Sequence, residues 1–314
     1  MIEATRTMPP EGGEALPMPR RRAAWFSLVE SPWFFMAPWL VGILAFMALP
    51  IVWSFVISFT NYSFSPNTQF VGLSNYQTML FNDPRFIQAL RVTGIYIFFG
   101  VPLQVAFSLL VAIALNKRFA GADFYRAALF VPSLLGASVA VAVLWSQVFG
   151  NPGIVNSALA VFGIKGANWL NDPRYAIYTL IALRVWEFGS SMVIFLAALR
   201  QIPKELLEAA AIDGATSWVR FRFVVLPLLA PVVVFNLIMQ MISASQTFTQ
   251  AYVISGGTGA PANSLLFYTL YLYQKGFSNF QMGYASAMAW FLLVVIGCAT
   301  FLILKSGRRW VNND

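Results

Sequence analysis

Apolar residues run through this chain in long blocks, and polar residues gather in short stretches between them. A helix that crosses a bilayer needs about 20 mainly apolar residues. Six runs meet that length: Trp33–Phe59, Val92–Leu115, Ala127–Phe149, Tyr175–Leu199, Phe223–Ile254 and Gly283–Leu304. The fifth exceeds what a bilayer requires, so it tilts or projects beyond the hydrocarbon. Prolines at 38, 50, 102, 132, 227 and 231 are expected to kink or delimit these helices, which neighbouring helices make tolerable by re-satisfying the freed backbone groups. A further run, Asn263–Phe277, is apolar and aromatic but too short to span; it predicts an interfacial or re-entrant helix on the outer side. No internal repeat is visible. The pattern predicts an all-α integral membrane protein with six transmembrane helices.

Composition agrees. Of 314 residues, 59% are hydrophobic and 10% charged, where a soluble domain carries roughly 25% charged, and mean hydropathy is +0.69. Too little polar surface exists to cover a globule in water. The single cysteine, Cys298, excludes a disulfide framework and a cysteine-rich metal site. The absence of histidine removes the commonest general base and metal ligand.

A net charge of +8 would suit nucleic acid, but the bases flank apolar runs. They are also uneven. The N-terminal tail, the 116–126 and 200–222 loops and the tail after 304 carry 14 Lys and Arg, against five in the opposite loops. By the positive-inside rule both termini are expected in the cytoplasm. Residues 1–32 are Pro-, Glu- and Arg-rich and read as a disordered basic tail. The apolar run after Arg20–Arg22 is too long for a signal-peptide core and reads as a retained first helix. Residues 33–305 read as the membrane domain, with a core at about 88–305, and 306–314 as a second cytoplasmic tail.

One cytoplasmic stretch stands out. Residues 203–227 combine Pro203, which suits a first helical turn, with the strong helix formers KELLEAAAI. Gly214 is a natural terminator, Thr216 or Ser217 a cap for a second short helix from Trp218 to Val225, and Pro227 and Pro231 open the fifth run. Leu206, Leu207, Ala210 and Ala211 share one helical side, Lys204 and Glu208 another. On the residues alone this helix–turn–helix reads either as a solvated cover for the span ends or as a docking site for a cytosolic partner.

The order Glu208-Ala209-Ala210, Asp213-Gly214-Ala215, Leu226-Pro227 resembles the "EAA…G…LP" loop of ABC-importer permeases, specifically the carbohydrate-uptake permeases of the maltose and glycerol-phosphate type. FVGLSNYQTML after the first run, RAALFVPSLLGASVAVAVLW in the third, WLNDPRYAI before the fourth and YVISGG near the end of the fifth extend the likeness from about Trp33 to Lys305. The resemblance implies a type I importer permease fold with cytoplasmic coupling helices. It implies that Glu208, Ala209, Ala210, Asp213 and Gly214 dock on a cytosolic ATPase subunit, whose ATP-driven closure flips the spans between inward- and outward-facing states. The partners implied are a second homologous permease, two ATPase subunits and an extracytoplasmic solute-binding protein, in a bacterial or archaeal cytoplasmic membrane. No cofactor is expected on this chain, which has no GxxxxGK[ST] phosphate loop; ATP and Mg belong to the ATPase partners. One departure stands: SGGTGAP at 255–261 replaces the family's usual GGP.

Charges within a span are costly and usually face a cavity or partner. Arg184 and Glu187 lie deep in the fourth run, at i and i+3. They read either as a pair with each other or, with Trp186, Phe188, Ser190 and Ser191, as lining for a substrate path. The resemblance favours the path, aligning Arg184, Glu187, Phe188 and Ser191 with sugar-contacting positions although residue types differ. Gln240, Ser243, Ser245, Gln246 and Thr247 form a polar stripe on the fifth run, suited to sugar hydroxyls or to helix–helix packing. The function expected is sugar or sugar-like solute import by alternating access. An ion-coupled secondary transporter is the alternative, but it usually buries carboxylates or broken helices at the midplane, where only Glu187 qualifies, and it leaves the cytoplasmic insert unexplained. A membrane-embedded enzyme lacks any activated nucleophile.

Overall fold

The computed structural model describes residues 32–64, 67–117, 120–136 and 138–311; the expected disordered tail lies outside them, apart from residue 32. Two compact units are distinguished, divided between Ser54 and Phe55. The first carries α1 (Pro32–Ile43), a wide i→i+5 turn at Leu44–Ala48 and the start of α2 (Leu49–Ile57). Phe35–Ile57 is long and apolar enough to cross a membrane.

The second unit holds the remaining elements. After α3 (Ser74–Gln77) and a wide turn at Thr78–Asn82, α4 (Pro84–Ile95) and α5 (Val101–Leu115) form one span through a wide turn at Tyr96–Gly100. The third apolar run is broken: α6 (Ala122–Leu135) meets α7 (Val139–Phe149) at a bend of 99°, and α8 (Ile154–Val161) follows. The fourth bends by 41° between α9 (Ala176–Trp186) and α10 (Gly189–Gln201). Then come α11 (Lys204–Ile212), α12 (Ser217–Arg220), a wide turn at Phe221–Val225, α13 (Leu226–Ser245) and α14 (Thr249–Ile254). The short α15 (Tyr268–Tyr273), a wide turn at Gln274–Ser278 and α16 (Met282–Val311) complete the chain. Among the described residues the helices supply four continuous spans, or six with each bent pair counted as one.

Three expectations change. The second short helix of the insert is not separate, because Ser217–Ile254 runs on as the fifth span, carried past Pro227 by the wide turn at Phe221–Val225. The last helix continues to Val311 rather than ending near 304. Of the two readings of the 263–277 segment, the interfacial one gives way and the re-entrant one does not, because Leu265, Leu266, Phe267, Tyr268, Leu270 and Tyr271 are all buried.

The core sits where α10 packs on α5 and α6, and α13 on α16, with Leu180, Met192, Phe195 and Leu229 fully buried. At the end of the bundle where α4 begins, Asp83 ties three elements together. It caps α4 by accepting from the Arg85 and Phe86 backbone N–H groups, at 3.1 and 3.2 Å. It also accepts from the Tyr271 and Tyr284 hydroxyls, at 2.6 and 2.7 Å, and faces Lys275 Nζ at 3.6 Å. Tyr268 locks α15 inward by donating from its hydroxyl to Met288 O at 2.7 Å.

Candidate functional site

Three helix interruptions converge in the second unit: Gly136 after α6, Glu187–Phe188 between α9 and α10, and Gln246–Phe248 between α13 and α14. An unwound turn leaves carbonyls without partners, which a membrane interior does not forgive. Side chains of neighbouring spans supply the donors. Glu187 O accepts from Gln104 Nε2 at 3.1 Å and Ser133 Oγ at 3.2 Å, and Phe188 O from Ser108 Oγ at 3.0 Å. Gln250 Nε2 donates to Gly136 O at 3.0 Å and reaches Glu187 Oε1 at 3.5 Å. Glycine is required at two of these contacts. A β-carbon on Gly136 would lie 2.4 Å from Glu187 Cδ, and one on Gly189 would lie 2.9 Å from Leu129 O.

Arg184 and Glu187 do not pair. Glu187 still closes α9, its N–H reaching Leu183 O at 3.1 Å, but each head takes another partner: Arg184 bonds Gln240, and Glu187 Oε1 faces Gln250. Arg184, 3% exposed, donates from Nη2 to Gln240 O at 2.6 Å and Oε1 at 3.0 Å. Gln240 Nε2 in turn donates to Ser191 Oγ at 3.0 Å. The guanidinium lies 5.6 Å from the centroid of the Tyr96 ring, a cation–π distance, and its stem passes Gly100, where a β-carbon would sit 3.2 Å from Arg184 Cδ. A buried cation held by neutral acceptors and an aromatic face keeps its charge uncancelled.

The structure therefore joins Arg184, Gln240 and Ser191 in one network and gives Glu187 a different partner, Gln250. The remaining candidates make other contacts as well. Phe188 is buried edge-on against Phe107, centroids 4.9 Å apart; Thr247 is buried, its carbonyl accepting from Thr269 Oγ1 at 2.5 Å. Ser243 and Gln246 are exposed, and Ser245 turns back on its own helix, donating to Met241 O. Residue patterns left Gln104, Ser108, Ser133 and Gln250 unnoticed. Gln104 and Ser108, one helical turn apart in an apolar span, were the available signal.

The first helix of the insert ends as its sequence predicts. Asp213 N–H, Gly214 N–H and Ala215 N–H close the end of α11, the last two on Ala211 O at 3.1 Å and Ala210 O at 2.9 Å. This is a Schellman ending with Gly214 in the left-handed region at φ +79°. Thr216 then caps α12 by accepting from Val219 N–H. Glu208, Ala209, Asp213 and Gly214 are exposed and Ala210 half-buried. Ile212 and Trp218 present large apolar side chains, 87% and 70% exposed, beside these acids: an exposed anchor-and-charge surface.

A family model described as binding-protein-dependent transport system inner membrane component matches residues 70–311. Among curated relatives, the probable ABC transporter permease protein YesP of Bacillus subtilis (strain 168) is 46% identical, over 89% of this chain and 91% of its own length. The lactose transport system permease protein LacF of Rhizobium radiobacter is 35% identical over 88% and 94%. A solved bacterial ABC transporter involved in the import of the acidic polysaccharide alginate is alike in fold, with TM-score 0.69 and 21% identity over 91% of this chain and 99% of that one.

Proposed function

The chain belongs to the family of binding-protein-dependent transport system inner membrane components, and from that premise we propose that it is the permease subunit of an ATP-driven importer for a sugar or sugar-like solute. The observation that carries the reading is α11 with its glycine-terminated turn: an exposed helix rich in small residues, ending in Asp213-Gly214, that the span bundle does not need for its own packing. Sugar as the substrate class rests on relatives such as LacF, whose name records lactose transport.

In this reading Glu208, Ala209, Ala210, Asp213 and Gly214 form the contact with a cytosolic ATPase subunit. ATP and Mg are held by two such subunits, and a second, homologous permease completes the path. An extracytoplasmic binding protein delivers the solute. Both termini and the insert face the cytoplasm. The nucleotide cycle biases a two-state element: α11 moves as a lever on α10, and α10 carries Ser191 against Gln240 and Arg184. Ser191 and Gln240 offer hydroxyl-binding groups, Arg184 positions Gln240, and the α9–α10 break lets the two halves of the span move separately. Ser243, Gln246 and Thr247 extend the polar stripe, and Glu187 and Phe188 hold the break.

Uptake of labelled sugar in cells tests the assignment. Deleting the ATPase gene should abolish uptake, while a protonophore should leave the ATP-dependent rate intact; the opposite pattern would return the chain to an ion-coupled mechanism. Gly214→Pro and Glu208→Lys should each cut uptake more than about tenfold with the permease still inserted, the scale of losing one charged contact of roughly 1.5 to 3 kcal/mol. Normal uptake by both would remove α11 from the coupling role.

A further inference from the structure

At the insert's end of the bundle lies a cavity of about 660 Å³, lined by Asn116, Arg126, Leu199, Arg200, Lys204 and Leu207 among others. A smaller one, about 230 Å³, shares Asn116, Leu199 and Leu207 with it and adds Arg220. The basin forms where α5 ends, α6 begins, α10 ends and α11 starts, the level at which apolar spans give way to polar loops. Four cations reach it, and no carboxylate lines either cavity. Glu205 and Glu208, the acids of α11, are exposed.

The cations are poorly compensated. Arg126 pairs through Nη1 with the exposed Asp123 and donates from Nη2 to Leu115 O at 2.8 Å. Arg220 makes one long bond, from Nη2 to Ser217 Oγ at 3.4 Å. The Nε of each is buried without an acceptor. Arg200 and Lys204 have no ion pair among the described residues. Like charges gathered at a half-apolar surface repel one another and lose hydration, and an anion relieves both costs.

We propose that this basin binds a phosphate-bearing anion, the headgroup phosphate of an anionic phospholipid. Guanidinium groups suit phosphate oxygens by fork geometry. Leu199 and Leu207 give the adjoining glycerol and acyl carbons an apolar wall, and basic pockets between span ends are sites where anionic headgroups collect. Because Lys204 and Leu207 belong to α11, a bound headgroup braces that helix against α10. Which leaflet supplies the lipid rests on the cytoplasmic orientation proposed above; the binding chemistry does not.

Detergent micelles have no sidedness, so they test the site apart from the orientation. The full chain, purified in neutral detergent, is titrated with phosphatidylglycerol, phosphatidylcholine and inorganic phosphate while thermal unfolding and lipid retention by native mass spectrometry are followed. Phosphatidylglycerol should protect at a concentration about thirtyfold below phosphatidylcholine, with Arg200 and Lys204, which have no ion pair among the described residues, each contributing about a factor of five. Arg200→Gln/Lys204→Gln should erase that preference, and Arg200→Lys/Lys204→Arg should keep it. Equal protection by the two lipids, or an unchanged preference in the charge-removed variant, overturns the site. Protection by inorganic phosphate without any by phosphatidylglycerol overturns the lipid assignment in favour of a soluble phosphate.

Discussion

Gly136 and Glu187 constrain each other by space. A methyl group at 136 would press on the Glu187 side chain at 2.4 Å, and Gln250, which donates to Gly136 O and reaches Glu187 Oε1, closes the same corner. Gly136→Ala should therefore destabilise the chain by about 1 to 3 kcal/mol, the usual cost of overpacking, read as a lowered melting temperature in detergent. Glu187→Ala empties the space the methyl needs, so the double variant should lose less than the two single losses added together; simple additivity would show that the clash is relieved elsewhere. At the opposite end of α9's neighbours, Asp83 makes a different kind of test. Burial opposes its ionisation, but hydrogen bonds from Tyr271, Tyr284 and the Phe86 N–H, with the Lys275 charge, hold its carboxyl below the ordinary carboxylate range. A depressed native pKa gives stability that is present above the unfolded value, about 4, and lost as pH falls through the native one. The melting-temperature gap between the natural chain and Asp83→Asn should be full at pH 7 and shrink as pH drops below about 4. A gap that widened on acidification would reverse the assigned sign.

Wide turns and prolines go together in this chain. Of the five wide turns among the described residues, those ending at Ala48, Gly100 and Val225 each stop two residues before a proline in a continuing helix, Pro50, Pro102 and Pro227, whereas the one ending at Asn82 gives way to extended Asp83 and Pro84 opens a new helix. Proline has no N–H to give and its ring crowds the carbonyl four residues back; a locally widened turn removes that crowding without ending the span. Pro38, Pro132 and Pro231 stand inside helices. The element with the most to test is the ending of α11. Gly214 has φ +79° and open space where a β-carbon would go, so Gly214→Ala meets no clash and should cost only the left-handed strain, about 1 to 2 kcal/mol. Uptake should survive Gly214→Ala far better than Gly214→Pro, whose ring forbids a positive φ; equal loss would mean the bare backbone itself is contacted. This ending was readable beforehand because its signals are local: helix formers, then glycine, then a threonine cap. The breaks after Leu135 and at Glu187–Phe188 were not. Hydropathy sums over a whole run and does not register one lost turn, and the donors that make the breaks affordable in lipid, Gln104, Ser108 and Ser133, arrive from other spans. The Arg184–Glu187 pairing fails on partners rather than spacing: Gln240 takes up Arg184 and Gln250 faces Glu187, both from the fifth span, and spacing along one helix does not show them.

Charge separates the two ends of the second unit. The basin of Arg126, Arg200, Lys204 and Arg220 lies at one end with the insert. The other end gathers Asp83, Arg85 and Lys275, with Arg85 Nη2 donating to Gln274 Oε1 at 3.0 Å. Translocation retains clustered Lys and Arg on the cytoplasmic side, so the first end should be cytoplasmic and the second extracytoplasmic, as an ATP-driven importer with an external binding protein requires. The chain has one native thiol, Cys298, exposed on the sixth span, and Cys298→Ser gives a background without any. On it, Ser217→Cys reports the insert and Asn171→Cys the loop before α9, both at exposed positions. In intact cells a membrane-impermeant maleimide should label Asn171→Cys and leave Ser217→Cys unmodified until the membrane is opened. The reverse pattern would put α11 outside, out of reach of any cytosolic ATPase, and would end the coupling proposal; labelling of both in intact cells would show that the four cations do not decide the topology.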